Sequence, residues 1–129
     1  MRIELYFEKI RKVIDDCPIV QLSNLTYDKR SSFEGFIRGE LIFLDDSRLH
    51  FREFVDVEIE IDRLMYTYQY MGIEENLIFR YDNTSHHRKL NLSTYPHHKH
   101  EGSEKNVVTS SAPHLEEVLL EIQAYVHLL

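Results

Sequence analysis

Thirteen consecutive residues, Leu49–Ile61, alternate apolar and polar side chains, and no other feature constrains the fold as much. Leu49, Phe51, Val55, Val57, Ile59 and Ile61 point one way; His50, Arg52, Phe54, Asp56, Glu58 and Glu60 point the other. A period of two is the geometry of a β-strand. At about 3.3 Å per residue this stretch exceeds the usual strand, so a bend or break is expected between Glu53 and Asp56. A strand apolar on one side needs a partner layer there, and leaves the other side open to water.

The ends of the chain supply that layer. Ile3, Tyr6, Phe7, Ile10, Val13, Ile14 and Cys17 form the stripe of an amphipathic helix, which Pro18 stops. Helical spacing returns after Pro113 with Leu115, Val118, Leu119 and Ile122. Ser110 or Ser111 is the expected cap, and Glu116 and Glu117 suit a helix N-terminus. Between the helices, residues 19–30, Phe33–Leu44, Arg63–Met71 and Leu77–Asp82 read as further strands. Asp45-Asp46-Ser47-Arg48 and Gly72–Asn76 mark hairpin turns. Residues 83–112 read as a polar, mostly irregular loop, with a short edge strand at Asn106–Ser110. The expected fold is α+β: a single curved antiparallel sheet of four to six strands, with an N-terminal and a C-terminal helix packed on one face. Residues 1–129 are expected to form one domain, since the chain is 43% hydrophobic and 129 residues long.

Composition narrows the class. Cys17 is the only cysteine, which excludes an internal disulfide framework and fits a reducing cytosol. No apolar run approaches the roughly 20 residues that span a bilayer, and MRIELYFEKIRKV does not read as a signal peptide. No membrane association is expected, and the expected location is the cytoplasm. Net charge is −7, yet residues 80–105 carry five basic side chains against three acids, while residues 34–62 carry three against nine. An acidic middle therefore precedes a basic, titratable patch.

That patch holds five of the eight histidines: His86, His87, His97, His98 and His100. Imidazole changes charge near neutral pH, binds metals and pairs with anions. His50 and Arg52 share a strand face, as do Arg80 and Asp82. If those faces coincide, guanidiniums can grip phosphate while imidazole moves protons, which suits metal-independent RNA cleavage by the ribose 2′-hydroxyl. The expected catalytic residues are Arg52, Arg80, Asp82, His86, His87, His97, His98 and His100. The expected substrate contacts are His50, Tyr81, Asn83 and Lys99. No cofactor is expected. Two alternatives stay open: a metal-dependent phosphodiesterase with ligands from His86, His97, His98 and His100 beside Asp82, and a non-catalytic module acting through its sheet edge or acidic strand. Tyr66, Tyr68 and Tyr70 suit sheet packing more than base stacking, which they or Tyr81 could supply if exposed. No Gly-rich phosphate loop and no G-x-S-x-G occurs.

LHFREFV (Leu49–Val55), YTYQY (Tyr66–Tyr70), FRYDN (Phe79–Asn83), His86-His87 and YPHHKH (Tyr95–His100) together resemble the TumE-like family of small prokaryotic proteins. The likeness runs from about Gly39 to Ile122 and takes in Pro113-x-Leu115-x-x-Val118-Leu119. It departs after His86-His87, where Arg88-Lys89 stand in place of the family's proline. The resemblance implies the toxin component of a toxin–antitoxin locus, with a cognate antitoxin encoded nearby as partner. RNA and a second copy of the chain are further candidate partners.

Overall fold

The computed structural model describes residues 1–85 and 90–126. His86, His87, Arg88, Lys89 and His127 lie outside the described residues, and so do the expectations attached to them. The chain runs α1 (Ile3–Asp15), β1 (Val20–Lys29), β2 (Glu34–Phe43), β3 (Arg48–Asp56), β4 (Asp62–Met71), β5 (Leu77–Asp82), β6 (His98–Glu101), β7 (Val107–Thr109) and α2 (Leu115–Gln123). The strands form one sheet in chain order, each antiparallel to its neighbour. There are seven strands, not the expected four to six. β6 is the unexpected one: HKHE has no strand-forming side chain, yet its backbone pairs with β5 from Asp82↔His98 to Phe79↔Glu101. β7 falls where the short edge strand was expected.

β3 does not run its full alternating length. It ends at Asp56, and the register against β4 shifts between Phe54 and Val55, within the expected break. The period still holds at Val55 and Val57, which are buried, but fails past the strand end at Ile59, assigned to the core side yet 95% exposed. The β2–β3 turn is closed by Asp45, whose carboxylate accepts hydrogen bonds from the Ser47 backbone and hydroxyl. Asp46 there takes φ 68°, a left-handed conformation that aspartate tolerates.

Both helices lie on one face. Ile3, Tyr6, Phe7, Ile10 and Ile14 of α1 and Leu115, Val118, Leu119 and Ile122 of α2 are buried against Ile37, Leu41, Phe51, Tyr66, Tyr68, Tyr70 and Phe79. The tyrosine stripe of β4 is thus core packing, as its spacing suggests. The helix packs tightly at Gly35, where a Cβ would come within 2.6 Å of both Ile3 and Phe7. α2 begins at Leu115 without the expected serine cap. The Glu117 carboxylate accepts the His114 backbone N–H at 3.2 Å instead, while Ser110 Oγ accepts from Ala112 N.

One buried group breaks the apolar pattern. Glu53 is 0% exposed among the core residues, and its two carboxylate oxygens accept the hydroxyls of Tyr6 and Tyr68. Arg63 also donates to Tyr68 Oη at 3.2 Å, and its other hydrogen bonds reach the carbonyls of Ala112 and Pro113, both at 2.7 Å. Burial raises the Glu53 carboxyl above its ordinary range, against the opposing pull of both tyrosines and Arg63.

Candidate active site

Cross-strand pairing sorts the uncovered face into rows, because directly opposed residues in an antiparallel ladder project to the same side. One row reads Asn24, Glu40, His50, Gln69, Arg80, His100. The next, two residues along each strand, reads Thr26, Arg38, Arg52, Thr67, Asp82, His98. The faces carrying His50 with Arg52 and Arg80 with Asp82 therefore coincide. β4 separates them, so the two pairs stand about 10 Å apart across the sheet.

The two ends of these rows differ in exposure. At the β1–β4 end lies a hollow of about 400 Å³, lined among others by Thr26, Arg38, Glu40, His50, Arg52 and Gln69. Arg38, His50 and Arg52 are exposed there. Arg38 and Arg52 are direct cross-strand partners, and no carboxylate among the described residues pairs with either. Like charges directly opposed destabilise a sheet, and an anion bound between the two guanidiniums would relieve that repulsion. Glu40 divides its carboxylate between Arg48 at 3.0 Å and His50 Nδ1 at 3.9 Å. The hollow thus holds two guanidiniums, an imidazole and a carboxylate.

The β5–β6 end is a closed network. Asp82 is 4% exposed, and His98 and His100 are each 2% exposed. His98 Nδ1 meets the Pro96 carbonyl at 2.9 Å, and His100 Nδ1 meets that of Glu104 at 2.8 Å. Carbonyls only accept, so both Nδ1 atoms carry hydrogen and both Nε2 atoms turn toward Asp82. His98 Nε2 lies 2.9 Å from Asp82 Oδ1, and His100 Nε2 lies 3.7 Å from Oδ2. Arg80 spans the group: Nε donates to Asp82 at 3.2 Å, Nη2 to His100 Nε2 at 3.1 Å, Nη1 to Gln69 at 3.2 Å, and both Nη atoms to Glu104 at 2.6 Å. Burial alone would lower the Arg80 guanidinium, but Glu104 and Asp82 outweigh it and hold it above its ordinary value.

Asp82, His98 and His100 place their ligand atoms within 4.8 Å of one another, which suits a metal. Backbone carbonyls on both Nδ1 atoms are the usual support for ligating histidines. The guanidinium of Arg80, however, already contacts two of the three donors, so a cation stands where the metal charge would be.

Other expected residues stand elsewhere. His97, assigned to catalysis and to the metal set, precedes β6 and packs on the helix-covered side against the buried Tyr66. Its ring stacks on Tyr66 at 5.8 Å, and Nδ1 lies 2.8 Å from the Tyr66 hydroxyl. Burial raises that hydroxyl to about 12, so it stays protonated and donates. Burial, then the charges of Arg63 and His98, lowers the His97 imidazole. Tyr81 and Lys99, expected on substrate, are also on the helix side and hydrogen-bond Glu121 of α2 at 2.6 and 3.1 Å. Asn83 is a structural clamp: its Oδ1 accepts Tyr66 N–H at 3.0 Å, and its Nδ2 donates to the Leu64 carbonyl at 3.3 Å. Arg38, Glu40, Thr67 and Gln69 were not anticipated. The recognised turn at Asp45–Arg48 would have found the first two, since the pairs 38–52 and 40–50 are both centred on Asp45.

No helix among the described residues is long and apolar enough to cross a membrane. A family model described as Toxin TumE matches residues 10–126. No curated protein and no solved structure matched the chain.

Proposed function

The chain belongs to the TumE toxin family, and on that premise we propose that it is the toxin of a toxin–antitoxin pair that cleaves RNA on its open sheet face without a metal. The observation that carries the reading is the hollow in which Arg38 and Arg52, without carboxylate partners among the described residues, adjoin His50 and Glu40. The two guanidiniums bind the scissile phosphate and the charge that builds on it. Glu40 takes the proton of the ribose 2′-hydroxyl as its oxygen bonds to phosphorus. His50 gives a proton to the 5′-oxygen as the P–O5′ bond breaks. The products are a 2′,3′-cyclic phosphate and a 5′-hydroxyl, with no proton or electron left over.

In this reading Arg80, Asp82, His98 and His100 are positioning residues, since three of the four are almost wholly buried. They hold Gln69 through Arg80 at 3.2 Å, and Gln69 is the cross-strand neighbour of His50. The partner expected in the cell is the cognate antitoxin, encoded nearby. Its co-expression should relieve growth arrest caused by the chain alone.

Purified, untagged protein is expected to cleave cellular RNA, and His50→Ala to slow cleavage by about 10²-fold or more with an unchanged circular dichroism spectrum. Equal cleavage by this variant removes His50 from the chemistry. The metal-dependent alternative has one observation in its favour, the convergence of Asp82, His98 and His100. We expect excess EDTA to leave cleavage intact; a loss restored by added zinc or manganese would replace our mechanism with that one.

A further inference from the structure

A third row crosses the open face two residues beyond the arginine pair: Asp28, Phe36, Phe54 and Met65 are successive cross-strand partners. Phe36 and Phe54 are half-buried, with ring centroids 6.5 Å apart and planes inclined at 48°. Neither ring belongs to the core, which lies on the opposite side beneath α1 and α2. Arg38 lies over the Phe36 ring at 5.7 Å, joining the aromatic row to the basic one. Adjacent aromatic rings on the solvent side of a sheet are costly to leave in water, and the sequence alone gives Phe54 no reason to stand there among charged neighbours.

We infer that Phe36 and Phe54 form a base-stacking platform, and that the substrate is a single-stranded RNA segment whose phosphate sits on Arg38 and Arg52. The inference rests on the proposed RNA-cleaving role and narrows its substrate class. Spacing supports it: two residues along a strand span about 6.6 Å, close to one nucleotide step in an extended strand. A base on the rings thus places its adjoining phosphate at the arginines and the following ribose toward His50 and Glu40. Duplex is disfavoured because its bases are already stacked and paired; a ring platform reads splayed bases. Charge points to the same occupant, because the arginine pair faces outward in a chain of net charge −7 that otherwise repels polyanions.

The test uses full-length protein and a fluorescent 2′-O-methyl RNA of about ten nucleotides, a length within the range bound by stacking platforms. The methyl group blocks the attacking hydroxyl, so binding is read by anisotropy with no cleavage. The single strand is expected to bind at least about tenfold more tightly than the same strand in duplex, and than an abasic strand with the same phosphates. The Phe36→Leu/Phe54→Leu variant keeps the apolar bulk and is expected to lose about tenfold or more. Phe36→Tyr/Phe54→Tyr keeps the rings and is expected to bind as the parent does. Equal affinity for intact and abasic strands would overturn the platform yet leave phosphate capture and cleavage standing. Ring-dependent binding by a protein that cleaves no unmodified RNA would instead overturn the cleavage reading and keep the platform.

Discussion

On the proposed mechanism, replacing Arg38 and Arg52 together by alanine is expected to lower RNA cleavage by about 10³-fold or more, while the protein unfolds at the same temperature as the parent or a higher one. The two halves of this expectation come from one geometry. The side chains are direct cross-strand partners on the exposed face, where opposed like charges cost a sheet a few tenths of a kcal/mol to about 1 kcal/mol. No carboxylate among the described residues compensates them, and Arg38 lies over the Phe36 ring. Removing both therefore relieves repulsion and buries nothing new. In the proposed transition state each guanidinium would meet charge developing on the phosphate, and loss of one such donor typically costs about 10²–10³-fold. Thermal unfolding and initial rates on one oligonucleotide, measured for the parent, both single variants and the double, are sufficient. If the double variant cleaved at the parental rate, the phosphate would bind elsewhere. If it were inactive but also markedly less stable, the arginines would be structural.

The sides of the sheet were legible in the sequence wherever the alternation was unbroken. Within β3 the period places His50 and Arg52 outward and Leu49 and Phe51 inward, as found. It fails where local backbone decides. Val55 and Val57 keep the pattern through the register shift at Phe54/Val55, but past the end of β3 Ile59 stands in water. β6 was hidden because strand propensity reflects packing on a pleated surface, and the histidines of HKHE are held by hydrogen bonds rather than apolar contact. Tyr81 and Lys99 could have been excluded from the substrate by alternation alone, since each has open-face neighbours on both sides of it in its strand. The hollow was legible only in part: His50 and Arg52 were chosen for their chemistry, whereas Arg38 and Glu40 required the β2–β3 register. Glu53 left a visible gap in the apolar stripe between Phe51 and Val55, but only tertiary contact reveals that Tyr6, forty-seven residues away, supplies its hydrogen bond.

That buried carboxyl gives the largest stability effect expected. Glu53→Leu removes the acceptor of the Tyr6 and Tyr68 hydroxyls. An unsatisfied buried polar group costs about 1–3 kcal/mol, so the variant should lose about 3 kcal/mol or more in urea denaturation. Tyr68 keeps Arg63 as a neighbour, but Arg63 only donates and cannot accept a hydroxyl proton. Glu53→Gln separates shape from charge. Burial raises the folded-state carboxyl above its ordinary value of 4.5, so over that interval the native protein holds a proton that the unfolded chain releases. Between those two values the native state binds more protons, and stability falls as pH rises. The contribution of Glu53 is thus full below about 4.5 and lost as pH climbs through the raised native value. Glutamine cannot ionise and keeps an oxygen for one tyrosine, while its amide can donate to the other. Glu53→Gln is therefore expected to gain on the parent steadily as pH is raised above the ordinary carboxylate range. Stability curves for parent and variant that ran parallel over that range would mean that the carboxylate is as well solvated by Tyr6, Tyr68 and Arg63 as it is by water.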